Sequence, residues 1–202
     1  MLRTRTVSFA KLFLGLYLYG FGLAVMVNAK IGISPWDVLA QGVSVQARVS
    51  YGIAQIIISA VVLLVWIPIR QKPGVGTFLN AVFVGVFADL TFPILPTFTQ
   101  YWLQLASFIV GMVVLAFATG LYITARLGSG PRDGLTVGLS KTLKRPVWQI
   151  RTSLEIVVLF IGWLMGGQVR EGTLIFAVCI GYLMQLSLRF FKFEKLTVAE
   201  MD

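Results

Sequence analysis

Between positions 103 and 125 the chain runs without a charged side chain, and stretches at about 9–29, 51–69, 77–95, 149–167 and 173–190 are nearly as apolar. Each approaches the ~20 residues that carry a helix across the ~30 Å hydrocarbon core of a bilayer. Lipid offers the backbone no hydrogen-bond partners, so segments of this length must satisfy their own N–H and C=O groups as helices. The chain is therefore expected to be an all-α membrane protein with six transmembrane helices. Only 12% of its residues are charged and 57% are hydrophobic, against about 25% charged in an ordinary soluble domain. No polar stretch is long enough to fold by itself, and residues 1–202 read as a single integral membrane domain. The first apolar run follows Arg3, Arg5 and Lys11, as in a secretory signal, but it is longer than a typical signal and is kept as a helix of the mature protein.

Basic residues in short loops set orientation. Arg3, Arg5 and Lys11 at the N-terminus, Arg70 and Lys72, the group from Arg126 to Arg151, and Arg189, Lys192 and Lys195 all fall on one side of a six-helix topology. The intervening loops carry few charges, so both termini are expected in the cytoplasm. The net charge of +9 follows from this clustering at the ends of apolar segments. It does not form the basic face with interleaved aromatics that a nucleic-acid partner requires.

Several chemistries are disfavoured by what the chain lacks. It has no histidine, and its one cysteine, Cys179, sits in an apolar run and reads as a small buried hydrophobe, so no metal site and no disulfide framework is expected. There is no nucleophile elbow, phosphate loop or dinucleotide fingerprint. An enzyme is not expected, and no cofactor is implied.

Sliding the chain over itself by 96 positions aligns residues 12–90 with 108–186 without a gap, at about 18 identities in 79 pairs. The matches include Gly32, Pro35, Asp37, Leu39, Gly42 and Ser44 with Gly128, Pro131, Asp133, Leu135, Gly138 and Ser140. Gly76, Thr77, Ala81 and Gly85 likewise match Gly172, Thr173, Ala177 and Gly181. Apolar residues align readily by chance in two hydrophobic segments, whereas Gly, Pro, Asp and Thr in register do not. Each copy holds three spans, an odd number, so the second copy is expected to enter the bilayer from the opposite face as an inverted repeat.

The paired motifs GISPWDVL from Gly32 and GSGPRDGL from Gly128 each follow a long helix and open a short one. Ser34 suits an N-cap, Pro35 the first helical position, and Asp37 the first turn, where a carboxylate meets unpaired N–H groups and the positive dipole end. Gly130, Pro131 and Asp133 repeat the pattern. Two readings stand: both motifs simply start helices, or they are discontinuous-helix elements around a central site whose N–H groups attract an anionic substrate group. The copies differ where Trp36 is replaced by Arg132, which suggests an aromatic platform nearer the outside and a cationic contact nearer the cytoplasm.

Other candidate polar positions lie within spans, where ionisable groups are costly. Arg151 and Glu155 share a helix face, as an interfacial pair or a lining pair. Asp89, one turn before Pro93, is a candidate for proton or cation coupling, or a snorkelling carboxylate. Gly76, Thr77, Gly172 and Thr173 begin the third and sixth helices, with Thr as a cap. Gly162 with Gly166, and Ala116 with Gly120, form small-residue faces suited to close helix packing.

These motifs, together with KPGVGT ending at Thr77, NAVFVGVFADL, GLYITARLGSGPRDGL, GWLMGG from Gly162 and REGT ending at Thr173, resemble the YitT/YczE/YyaS group of bacterial membrane proteins. They stand nearest its YczE-like branch. The resemblance implies the bacterial cytoplasmic membrane and a transport role that includes export of small molecules. The repeat and the paired helix starts suggest a secondary transporter of a small organic or anionic solute, with a coupling ion. Trp36, Asp37, Asp89, Arg132, Asp133, Arg151 and Glu155 would be its polar lining. A membrane-embedded binding subunit of a multicomponent transporter and a non-transporting scaffold or regulator are the alternatives. The expected partners are the lipid bilayer, the solute and, for so small a chain, a second copy of itself.

Overall fold

The computed structural model describes residues 2–191 and contains no strand within them. Lys192 and Lys195 of the C-terminal basic cluster lie outside that range. Eight α-helices follow in order: α1 (Leu2–Asn28), α2 (Pro35–Ala47), α3 (Tyr51–Trp66), α4 (Val75–Thr91), α5 (Tyr101–Ile123), α6 (Pro131–Leu143), α7 (Val147–Leu164) and α8 (Glu171–Phe190), with a 3-10 turn at Phe92–Ile94. Five of them are long and apolar enough to cross a membrane. The expected span at 51–69 is shorter than the others because α3 stops at Trp66. Pro68 cannot continue the helix, and Arg70 turns left-handed at φ 54° so that the Gln71 N–H closes on the Trp66 carbonyl at 3.0 Å. α3 reaches a sixth span only together with α2, from which it is bent by 112°. The short helices expected after the first and fourth spans are α2 and α6, of 13 residues each.

α1 and α5 form the centre and pack along one another. Their axes approach where Gly22 meets Gly111: a Cβ on either would lie 2.7–2.8 Å from the other's carbonyl oxygen, so only hydrogen fits there. α4 lies on α1 and α8 on α5, while α2 packs against α7 and α6 against α3. Each short helix thus crosses over to the other half of the chain.

The two halves share backbone detail that composition alone would not produce. Among the described residues, those with positive φ form four pairs 96 positions apart: Lys30 with Arg126, Gly32 with Gly128, Arg48 with Lys144, and Arg70 with Gly166. The stitching between halves is reciprocal too. Gly76 N–H donates to the Leu127 carbonyl and Gly172 N–H to the Ile31 carbonyl, each at 2.7 Å. Gly32 and Gly128, at φ 119° and 128°, turn the chain at these crossings, in a region that an L side chain rarely enters. The matched Ser44 and Ser140 do the same job twice, each hydroxyl holding the carbonyl five residues on, of Val49 and Arg145, at 2.7 Å.

Candidate functional site

The starts of α2 and α6 meet inside the protein. Ser34 is the N-cap of α2, Pro35 opens it, and Asp37 sits in its first turn with only 2% of its surface exposed. α6 begins with Gly130 as N-cap and Pro131 at its first position, and the Pro131 carbonyl accepts the indole N–H of buried Trp66 at 3.1 Å. This anchors α6 on α3. The geometry brings Arg132 to Asp37, both guanidinium Nη atoms lying 3.3 Å from Oδ1.

Asp37 is fully engaged. Ser34 Oγ donates to its Oδ2 at 2.5 Å, and Gln55 Nε2 on α3 donates to its Oδ1 at 2.8 Å. Gln55 also donates to Tyr51 Oη at 3.0 Å and accepts from Arg132 through its own Oε1. The guanidinium stacks 5.3 Å from the centre of the Trp36 ring, within cation–π range. The aromatic platform and the cation expected on opposite sides of the protein are therefore in contact. The reason is that α2 and α6 both cross over and point their starts at the same place.

Asp133, the counterpart of Asp37, has a sparser environment. Its Oδ2 accepts the Tyr122 hydroxyl from α5 at 3.1 Å, and no ion pair reaches it among the described residues. Arg151 Nε and Glu155 Oε1 pair at 3.0 Å on α7.

Beside this network lies a cavity of about 90 Å³, room for several water molecules or a small solute; Asp37, expected in its lining, is covered by Arg132 and does not line it. Its walls include Ser34, Trp36, Gln55, Ser59, Asn80, Tyr122, Arg132, Asp133, Arg151 and Glu155. Many of them are repeat-matched: Trp36 with Arg132, Gln55 with Arg151, Ser59 with Glu155, and Asn80 with Phe176 all stand 96 positions apart and all line it. At each of these pairs the two copies contribute different chemistry.

Other expected residues lie elsewhere. Asp89 does not line the cavity; its carboxylate accepts the Gly52 N–H at 2.7 Å and the Ser50 hydroxyl, holding the start of α3 against α4. Thr77 both caps α4 and clamps a crossover, its Oγ1 accepting the N–H of the N-cap Gly74 at 3.2 Å and donating to the Ser129 carbonyl at 2.7 Å, while Thr173 Oγ1 clamps the other crossover by accepting the Ile33 N–H at 3.2 Å. Gly162 packs against α2 beside Leu39, but Gly166 lies beyond the end of α7 at φ 95°, so the two do not form one helical face. Gly120 meets Ser187 of α8. An anion at either helix start would meet a carboxylate already in the first turn.

Gln55, Ser59, Tyr19 and Tyr122 were not singled out from the sequence. Gln55 and Ser59 had a signal, since they are the positions 96 before Arg151 and Glu155. The tyrosines had none, because a tyrosine in an apolar run reads first as a packing or interfacial residue.

The chain matches the family of unknown function DUF6198 over residues 6–189. It is 37% identical to an uncharacterised protein of Haemophilus influenzae, covering 91% of this chain and 84% of that one. It is 33% identical to the uncharacterised membrane protein YczE of Bacillus subtilis, over 87% of this chain and 83% of YczE. With the uncharacterised protein YyaS of the same organism it shares 27%, over 85% of this chain and 87% of YyaS. No solved structure matches the chain.

Proposed function

For a chain that belongs to the DUF6198 family and aligns over most of its length with the membrane protein YczE, we propose a secondary transporter that moves a small organic solute by alternating access. It works in the bacterial cytoplasmic membrane with both termini inside, and its halves are an inverted repeat related by a two-fold axis in the membrane plane. The four pairs of positive-φ residues and the reciprocal Gly76 and Gly172 crossings support this symmetry.

One observation carries the reading. α3 and α4 are shut against one another: a Cβ on Gly85 would lie 3.0 Å from the Gly52 carbonyl carbon, and Asp89 bridges back to the start of α3. The equivalent pair, α7 and α8, makes no comparable contact, and Gly181, the match of Gly85, has nothing within 4 Å of where its Cβ would be. One gate is closed and its counterpart is open, while the cavity lies between them. Exchange of the two arrangements would expose the cavity first to one side and then to the other, with opening inward through α7 and α8 and outward through α3 and α4.

Thiol labelling tests this without knowledge of the solute. In a Cys179→Ser background, Leu154→Cys on the open side is expected to react with a membrane-impermeant maleimide from the cytoplasmic face. Ser59→Cys, behind the closed pair, is expected to react from outside only when Asp89→Ala releases it. A Ser59→Cys thiol that stays unreactive from outside in both backgrounds would refute alternating access and favour a scaffold.

A further inference from the structure

The charges around the cavity do not balance. Arg132 is taken by Asp37 and Arg151 by Glu155, at 3.3 and 3.0 Å. Asp133 is hydrogen-bonded only by a neutral phenol and shares the charge of Arg151 with Glu155. The groups that face it are Tyr122 on α5, Tyr19 on α1, Arg132 on its own helix, and Arg151 and Glu155 on α7. Counting Asp37, which stands behind Arg132 and outside the lining, three carboxylates share two guanidinium groups and leave one negative charge beside a small, partly enclosed space, where an unpaired charge is costly. An anionic solute would double that charge. A neutral one would leave it uncompensated.

We propose that the cavity binds a small organic monocation, an alkylammonium whose charged nitrogen sits against Asp133. This rests on the transporter reading of the same cavity and names the class of its solute. The aromatic lining argues for an organic cation over an inorganic one. Tyr19 and Tyr122 stand edge to face with ring centres 6.2 Å apart, and the Tyr122 hydroxyl holds its ring beside the carboxylate. Aromatic walls next to a carboxylate suit an alkylated ammonium, which is weakly hydrated and attracted to ring faces. A bare metal ion needs several converging oxygen ligands, and no cluster of three metal-binding side chains exists among the described residues.

The test is thermal stabilisation of the purified full-length protein in detergent by choline chloride. The comparisons are sodium chloride, sodium acetate, and 3,3-dimethylbutan-1-ol, the uncharged analogue with the same shape. Choline is expected to raise the melting temperature saturably, with the neutral analogue at least about tenfold weaker and both sodium salts without a saturable effect. Asp133→Asn is expected to abolish the choline shift, and Tyr122→Phe, which keeps the carboxylate, to weaken it severalfold. Equal binding of choline and its neutral analogue would overturn the proposal without relying on any variant. Stabilisation by acetate, or by sodium chloride as strongly as by choline, would also overturn it. Choline binding without flux in proteoliposomes would sink the transporter reading and leave this site standing. Flux of an anion without choline binding would do the reverse.

Discussion

Arg132→Met tests whether the Asp37–Arg132 pair holds the two crossing helices together. The change keeps most of the side-chain volume and removes the charge, leaving a carboxylate that is 3% exposed with only Ser34 and Gln55 as partners. Breaking a buried pair from one side costs about 3–5 kcal/mol. The Arg132 side chain is 21% exposed towards the cavity, and the two neutral donors remain, so the lower end applies, about 3 kcal/mol. At about 2–4 °C per kcal/mol for a chain of this size, the melting temperature should fall by about 6–12 °C. Asp37→Asn alone should cost less, because the guanidinium left behind keeps Gln55, the Trp36 ring and partial access to water. The double variant should then be less damaged than the sum of the two by about 1–2 kcal/mol, the coupling expected of residues in contact. Differential scanning fluorimetry on the four proteins in one detergent measures all of this. A drop below about 2 °C for Arg132→Met, or strictly additive losses, would refute the pair as a structural link.

Gly128→Ala should cost about 2–4 kcal/mol in the same assay, since φ 128° disfavours a side chain and the new Cβ would lie 2.7 Å from Thr77 Oγ1. Trp66→Phe removes the donor to the Pro131 carbonyl that seats α6, and should lower stability by about 1–2 kcal/mol while leaving α3 helical by circular dichroism. Asp89→Ala removes both bonds at the start of α3. It should cost about 1–2 kcal/mol and raise outside labelling of Ser59→Cys, the joint effect expected when the carboxylate that clasps α3 to α4 is lost.

Much of this fold was legible along the chain because its causes are local. A bilayer leaves the backbone one solution, so the apolar runs marked the long helices to within a few residues. Of the six expected spans only that of α3 is too short to cross by itself, where Pro68 and the turn at Arg70 override hydropathy. The duplication was also legible: Gly32 and Gly128 were matched as residues and occupy matched positive-φ turns, since a backbone conformation open to few side chains constrains the residue type itself.

The site depended on contacts that no local pattern encodes. Asp37 and Arg132 stood out as helix-start residues, but their meeting 95 positions apart follows from α2 crossing to α7 and α6 to α3. Nothing in a helical periodicity specifies which neighbour a short helix will choose. The same holds for Asp89, whose sequence position suited a coupling carboxylate and whose neighbours in space, Ser50 and Gly52, make it a clasp. The inequality of the two helix pairs, α3 with α4 and α7 with α8, is the most tertiary feature of all. Gly85 and Gly181 are the same residue in the same register, yet one is packed against Gly52 and the other faces open space. What separates them is the partner across the helix pair, glycine at 52 and tryptophan at 148, and whether two helices close together is decided by both surfaces at once.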